Sequence, residues 1–442
     1  MTLNYRNIAL FAGMALLLVL EGASAKNAIF SGSWDTSLGI LNVGLISAVL
    51  ALGVNIQWGY AGLFNAGVVG FVAIGGLAPV LVAMPANPGA FSAGGIGLAA
   101  AFAAAVATVW LAILVNRRAS LQVRLIAVPL ILIGGFLLYR ALFGPATTAI
   151  EAVNTAAAGN LGGLGLPVVL AWPVGAVFAA GAAWVVGKTA LGLRSDYLAI
   201  ATLGIGEIIV SVLRNEEWLA RGVLNVNGIP RPWPVPREID LQSSADFVAR
   251  AASLGLDPVS ASTLTVKLLY SALFLIVLLV LIWLTQKALS SPWGRMMRAI
   301  RDNETAAAAM GKNITRRHLQ VFILGSAVCG LAGAMMITLD GQMTPGSYNP
   351  LRYTFLIWVM VIVGGSGNNF GSVLGAMLIW YLYTKAESWG PQLMAFVTSG
   401  MADGSAIKAH LLASAEQMRL LTMGLILLLV LRFSPRGLIP EK

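Results

Sequence analysis

The eight residues Ala182-Ala183-Trp184-Val185-Val186-Gly187-Lys188-Thr189 have the spacing of a Walker A loop. That chemistry needs a glycine-rich turn after a strand, with backbone N–H groups free to cradle a phosphate. Here the variable positions are the end of an apolar run and Lys188 is a cation at its edge, so the match is read as accidental. No other nucleotide-binding pattern is present, which assigns any use of ATP to a different chain. His318 and His410 have no Cys or second His at metal-ligand spacing and read as surface or interface residues. The single cysteine, Cys329, excludes an intramolecular disulfide and a multi-Cys metal site, and reads as a small packing residue. No nucleophile and base form a set, so neither catalytic nor metal-binding residues are assigned. Glu207 is the one acid read as lying well inside an apolar stretch, in Tyr197–Ile209. A charge there costs at least about 2.5 kcal/mol, which makes it a candidate for a translocation pathway or gate. The alternatives are a structural pair with a backbone donor or a neighbouring span, or a position close enough to the interface to be hydrated. One isolated acid is thin support for ion coupling.

The elements that must position these residues are membrane helices. Of 442 residues 58% are hydrophobic and 10% charged, far from the roughly one quarter charged of soluble domains, and the mean hydropathy is +0.83. The chain is therefore read as an all-α polytopic membrane protein in a lipid bilayer. Its 49 glycines suit helices packed at close range. A net charge of +10 raises the question of nucleic acid, but the cations cluster beside apolar spans, as the positive-inside rule requires. No nucleic-acid partner is assigned.

Runs near the length of about 20 residues that a span needs occur at 38–57, 64–84, 93–115, 125–143, 164–186, 197–213, 263–284, 319–338, 352–384 and 412–431. The run 352–384 is long enough for two short spans broken at Gly364-Gly365-Ser366-Gly367, giving ten to twelve in all. At the N-terminus, Arg6, an apolar run to Leu20 and Ala23-Ser24-Ala25 copy a signal peptide; a retained first span is the reading adopted. Two stretches, 52–76 with Asn55, Gln57 and Asn65 among seven glycines and 363–376 with Gly364 and Gly365, have the texture of interrupted helices. Such interruptions at membrane depth either line a cavity or pack closely inside protein. Both readings stand, and Asn55, Tyr60, Asn65, Gly204, Glu207, Gly364 and Gly365 are the pathway candidates.

Residues 292–318 carry six cations (Arg295, Arg298, Arg301, Lys312, Arg316, Arg317) against Asp302 and Glu304, the signature of a cytoplasmic loop. Trp293, Met296, Met297 and Ile300 fall at i, i+3, i+4 and i+7, which predicts an amphipathic helix over 293–311 ended by Gly311, with Thr315 capping the next span. Placing this loop inside puts Arg117, Arg118, Arg124, Lys188, Arg194, Arg432, Arg436 and Lys442 inside too, and both termini with them. The stretch 231–262, opened by four prolines, then lies outside as a largely non-helical loop. Before it, Asn225, Asn227 and Gly228 predict a turn with unusual backbone angles that contacts a partner or merely connects.

Several stretches in order resemble the M-type permease subunit of the branched-chain amino-acid (Liv) ABC importers. They are Gly192–Leu198, Thr202–Ile208, Asn227-Gly228-Ile229, Gly294–Gly311, Ala332-Gly333-Ala334, Gly59–Leu63, Val363–Ala376 and Arg432–Leu438. The resemblance runs from about 40 to 440. It implies a fold similar to ribose-type importer permeases, with an N-terminal span and external linker in 1–37 and a permease domain in 38–442. That domain would include an external loop at 214–262 and a coupling segment at 292–318. It further implies a second permease, two cytoplasmic ATPases that carry ATP and Mg, and a periplasmic substrate-binding protein, all at a bacterial inner membrane. On this likeness Arg295, Arg298, Arg301, Asp302, Glu304 and Gly311 would couple to the ATPase through a helix set in a groove. Asn225, Asn227 and Gly228 would face the binding protein. Leu224-Asn225-Val226 stands where the family commonly has Gly-Gly-Pro, and Asn368-Asn369 also departs, so the substrate is left open between branched-chain or other apolar amino acids and urea or short amides. An ion-coupled secondary carrier is the rival reading; a membrane-embedded enzyme lacks a site.

Overall fold

Long apolar runs with no water to satisfy their amides must close every backbone hydrogen bond internally, and helices do so. In the computed structural model, which describes residues 5–27, 30–153, 161–401 and 405–441, nearly all the apolar sequence is helical. Helix α1 (Tyr5–Ala23) leads to α2 (Trp34–Val54), which widens into a π-helical turn at Asn55–Gly59; α3 (Val68–Ala83), α4 (Ile96–Arg118) and α5 (Leu121–Ala152) follow. Next come α6 (Val168–Ala190), α7 (Ser195–Asn215), α8 (Pro258–Ser290), the short α9 (Pro292–Asp302) and α10 (Glu304–Ala309), and α11 (Ile314–Asp340). The chain ends with α12 (Leu356–Gly364), α13 (Asn369–Val397) and α14 (Met418–Phe433). Eight helices among the described residues are long and apolar enough to cross a membrane, nine if a bent pair near the C-terminus counts as one span, and α3 and Leu351–Gly364 are shorter apolar helices.

Helices α2 and α11 form the centre: 83% and 72% of their apolar windows are buried, against 0% for α5, which pairs with α4 at the edge. Around α11 lie α6, α3 and α2, with α13 and α8 against α2. Glycine sets the spacing. Gly75, Gly175 and Gly330 meet where α3, α6 and α11 cross, and a methyl group on any of them would collide with the backbone or an alanine of a neighbour.

The bundle has two distinct ends. At one, α9, α10, the π turn of α2, the α12–α13 break and the C-terminal tail converge, joined by contacts of Arg301 with Gly59 and Glu441 and of Arg6 with Leu438. The other carries a two-residue antiparallel ladder, β1 (Val226–Asn227) with β2 (Gln342–Met343), and short helices at Glu238–Gln242 and Ala245–Ser253. Those helices, and the start of α8 at Pro258, correct the expectation of a largely non-helical 231–262: the closely spaced prolines stop at Pro236, the sequence beyond folds into short helices, and Pro258 stands in the first turn of α8, where a helix tolerates it.

Two further expectations change. The single helix expected over 293–311 is two, because Asn303 is extended (φ −156°, ψ 97°) and its side chain caps α10 by accepting from the Ala306 N–H at 2.9 Å. The cap of α11 is Asn313, accepting from Arg316 N at 3.0 Å, rather than Thr315. The break expected within 352–384 is present at Gly365–Asn368, although α13 runs on to Val397. Lys442, counted with the cytoplasmic cations, lies outside the described residues.

Candidate functional site

The amides of the first glycine-rich stretch sit where the π turn of α2 gives way to an irregular segment before α3. Backbone freed there must find partners, and the side chains supply them. Asn55 Oδ1 accepts from the Gly367 N–H at 2.8 Å and its Nδ2 donates to Asn369 Oδ1 at 3.1 Å, which links the break after α2 directly to the break before α13. Tyr60 Oη donates to Asn369 Oδ1 at 2.8 Å, and Asn369 Nδ2 reaches Thr285 Oγ1 on α8 at 2.9 Å. Gln57 donates to Phe322 O and Ser326 Oγ, while Asn65 Nδ2 donates to Gln57 Oε1 and its own Oδ1 takes the Gly67 N–H. Asn55, Gln57, Asn65 and Asn369 are all buried. The geometry therefore gives these amides a structural job: Asn55 and Asn369 tie the two interrupted helices together, and Gln57 with Asn65 fixes the irregular segment to α11.

Gly364 and Gly365 complete this knot. A side chain at Gly364 would strike the Gly371 carbonyl, and Gly365 (φ 115°) passes so close to the tail that a Cβ there would meet Ile439 O. The tail satisfies carbonyls left open at the end of α12: Leu438 N donates to Val363 O and Ile439 N to Gly364 O, both at 2.9 Å. Asn368 Nδ2 adds a bond to Pro440 O at 3.2 Å.

Gly204 and Glu207 are not brought to this knot. They lie on α7, whose inner face (Leu198, Thr202, Gly206, Val210, Leu213) packs on α3. Gly204 faces outward with nothing near its missing Cβ, and Glu207 is half-exposed beside it. The pathway candidates thus divide into a buried knot and an open face on α7.

A cavity of about 270 Å³ opens between α6, α8, α11 and the π turn, walled by residues such as Ile56, Leu281, Leu324 and Leu331. Its polar groups, Tyr60 and Thr285, already bond to Asn369. It offers little to grip a zwitterion.

The coupling candidates are split by burial. Met297 and Ile300 are fully buried in this chain's own core, and Trp293 and Met296 pack against it. This corrects the expectation that the apolar stripe fits a groove on another protein: α9 uses it to hold α9 against the bundle. Arg295 and Arg298 donate to Ser290 O and Leu289 O, the orphan carbonyls ending α8. Arg301 also turns inward. It donates to Gly59 O and pairs with Glu441 Oε2 at 2.8 Å and Asp302 at 3.3 Å. Burial works against its charge, yet Glu441 and Asp302 outweigh that and raise its pKa further. What remains exposed is Arg295, Ala299, Asp302, Asn303 and Glu304 through Gly311, apart from buried Ala307. Gly311 has φ 75°, the left-handed conformation expected of a residue ending a helix. His318 is buried, with Nε2 3.5 Å from Glu304 Oε1, whereas His410 is exposed.

At the opposite end, Asn225 (φ 60°, ψ 152°) and Gly228 (φ 78°) hold the unusual angles expected of the turn. Asn225 takes a conformation suited to glycine, at a position where the resembling family commonly has one. Asn227 is exposed and paired with Gln342. The segment 182–189 is regular helix within α6, so its N–H groups are spent on helix bonds and cannot cradle a phosphate. Sequence reasoning missed the buried pair of Glu21 with Lys385 (3.0 Å), which joins α1 to α13, and the inward role of Arg301.

Gly-rich helix crossings, two tied helix breaks and a connecting helix locked to the bundle define an all-α, multi-pass membrane protein. Residues 141–431 match the family model described as branched-chain amino acid transport system / permease component, well over half of the chain, and the chain belongs to that family. The family is that of a transport component rather than of an enzyme. The chain is 28% identical over 295 residues to the high-affinity branched-chain amino acid transport system permease protein LivM of Escherichia coli, covering 66% of this chain and 61% of that one. It is 27% identical over 295 residues to LivM of Salmonella typhimurium, with the same coverage. The chain thus spans 61% of the length of these two relatives. A shorter match, 26% over 114 residues, covers 25% of this chain and 31% of the fructose import permease protein FrcC of Rhizobium meliloti. No solved structure matches.

Proposed function

We propose that this chain is a non-catalytic permease subunit of an ATP-driven ABC importer that moves branched-chain or other apolar amino acids across a bacterial inner membrane. It pairs with a second permease, takes substrate from a periplasmic binding protein, and is driven by two cytoplasmic ATPases that carry the ATP and Mg. The end holding α9, α10 and the tail is cytoplasmic; the cations at the adjoining helix ends (Arg117, Arg118, Lys188, Arg194, Arg432) support that orientation. Specificity resides mainly in the binding protein, because the polar groups inside this chain are already bonded to one another.

The observation that carries the reading is α10. It is short, capped, fixed to a helix rooted in the core, and presents the small side chains Ala306, Ala308 and Ala309 beside exposed Met310 (78%). Small residues let a groove wall approach closely, so α10 rather than the stripe of α9 is the seat for the ATPase. Ala309 is exposed, so Ala309→Trp adds bulk on the outer side of α10. In membranes containing the whole transporter it is expected to reduce uptake of labelled leucine by about tenfold or more while the amount of inserted permease stays normal, as removal of a central docking contact does. Wild-type uptake in that variant overturns the assignment. Uptake of urea but not leucine by the wild-type transporter overturns the substrate class.

A further inference from the structure

Arg301 is the one coupling candidate that touches both helix breaks. Its guanidinium donates to the Gly59 carbonyl, which ends the π turn of α2. It also pairs with Glu441, whose carboxylate lies against Gly367 so closely that a Cβ there would stand 2.5 Å from Oε2. Glu441 belongs to a tail that is itself bonded to Val363, Gly364 and Asn368, and Gly367 N reaches back to Asn55 in the π turn. The path therefore closes: α9, first break, second break, tail, and α9 again. Four separate parts of the chain meet at one guanidinium whose side chain is only a quarter exposed.

We infer that Arg301, Glu441 and the tail Ser434–Glu441 form a clasp that passes movement of α9 and α10 to both interrupted helices at once. Arg301 is then a positioning residue inside this chain, not an ATPase contact, and the tail is a working part of the permease. The physical reason lies in the geometry of the guanidinium. One nitrogen, Nη1, donates to both the carbonyl and the carboxylate while Nε and Nη2 hold Asp302, so α9 cannot shift without pulling on both. Gly59 and Gly365–Gly367 are the positions in these two helices where regular hydrogen bonding is already interrupted, so they yield at least cost. Because the clasp rests on the permease reading, its test needs one readout that does not depend on transport.

Hydrogen exchange of the purified chain supplies that readout. Glu441→Gln keeps shape and removes the charge. It is expected to speed exchange at 55–62 and at 364–369 together, by about tenfold, the factor that loss of one charge-assisted hydrogen bond gives. In the reconstituted transporter, Arg301→Glu and Glu441→Arg should each lower substrate moved per ATP hydrolysed, with ATPase subunits still bound. The double swap restores the ion pair but not the donation to the Gly59 carbonyl, so it should recover only part of that ratio, whereas a merely structural role would lower the amount of folded permease and leave the ratio unchanged. Truncation before Ser434 should reproduce the exchange result. Unchanged exchange at either break in Glu441→Gln, or unchanged coupling in both single charge reversals, overturns the clasp. If the wild-type transporter moves no amino acid while the exchange result holds, it is the substrate reading that fails and the clasp that stands.

Discussion

Glu21 lies fully buried at the end of α1, where its carboxylate accepts from Lys385 Nζ at 3.0 Å and from Ser31 N at 2.9 Å. Lys385 is 4% exposed, so the two charges have only each other and a few neutral donors. Removing one partner of such a pair leaves a buried uncompensated charge and costs about 3–5 kcal/mol, whereas replacing both by apolar groups of similar size is near neutral or stabilising. Glu21→Ala is therefore expected to lower the melting temperature in detergent sharply and to release α1 from α13, while Glu21→Leu with Lys385→Met restores it. A double variant no more stable than the single one would show that the pair is not what holds α1. Sequence could not show this pair. Its members are 364 residues apart, and each stands near the end of an apolar run, where a charge is ordinarily taken to reach for water. Arg301 escaped for the same reason, with partners 242 and 140 residues away. By contrast Asn225 and Gly228 were legible as a turn because the requirement for positive φ is local.

Elements were read well where a single period or composition decides them. The long apolar runs became helices near the expected bounds, and the Gly364–Gly367 interruption became a real break, because hydropathy and glycine act within one turn of chain. What could not be read was which face of an amphipathic helix meets what. The stripe Trp293, Met296, Met297, Ile300 has the same spacing whether it meets a partner or its own bundle, and only packing shows that it is buried at home. The division of 292–311 also turns on one residue. Asn303 can continue a helix or cap one, and its extended backbone with the bond to Ala306 N makes it a cap. Losing such a cap costs about 1 kcal/mol. Asn303→Ala should thus speed amide exchange across Glu304–Ala309 by roughly fivefold while leaving α9, anchored by Met297 and Ile300, unchanged. Equal acceleration in both helices would mean that they behave as one unit.

At the scale of the whole molecule, the exposed surface of α7 differs from that of the edge helices. Helix α5 presents Leu130, Leu132, Ile133, Phe136 and Leu137 outward, a surface that lipid covers without cost. Helix α7 presents Ile200, Leu203 and Ile208 too, but between them run Gly204, Glu207, Ser211 and Asn215, three to four residues apart and so on one face. A carboxylate and an amide turned toward lipid over two turns are costly, and the same groups facing water beside a second permease are not. The apolar flanks of that face would seat the partner and the polar stripe would line the space between the two subunits. Cysteines placed at Gly204 and Ser211 are therefore expected to react with a charged thiol reagent in the assembled transporter, and a cysteine at Leu132 on α5 is not. The native Cys329 is buried and stays silent. Reaction at Ser211→Cys should slow when loaded binding protein and ATP close the space, because the reagent then shares the route with substrate. Equal labelling of α5 and α7, or no labelling of either α7 position, would place the route elsewhere. In that case Glu207 would be a structural pairing residue, satisfied by the partner subunit rather than by water.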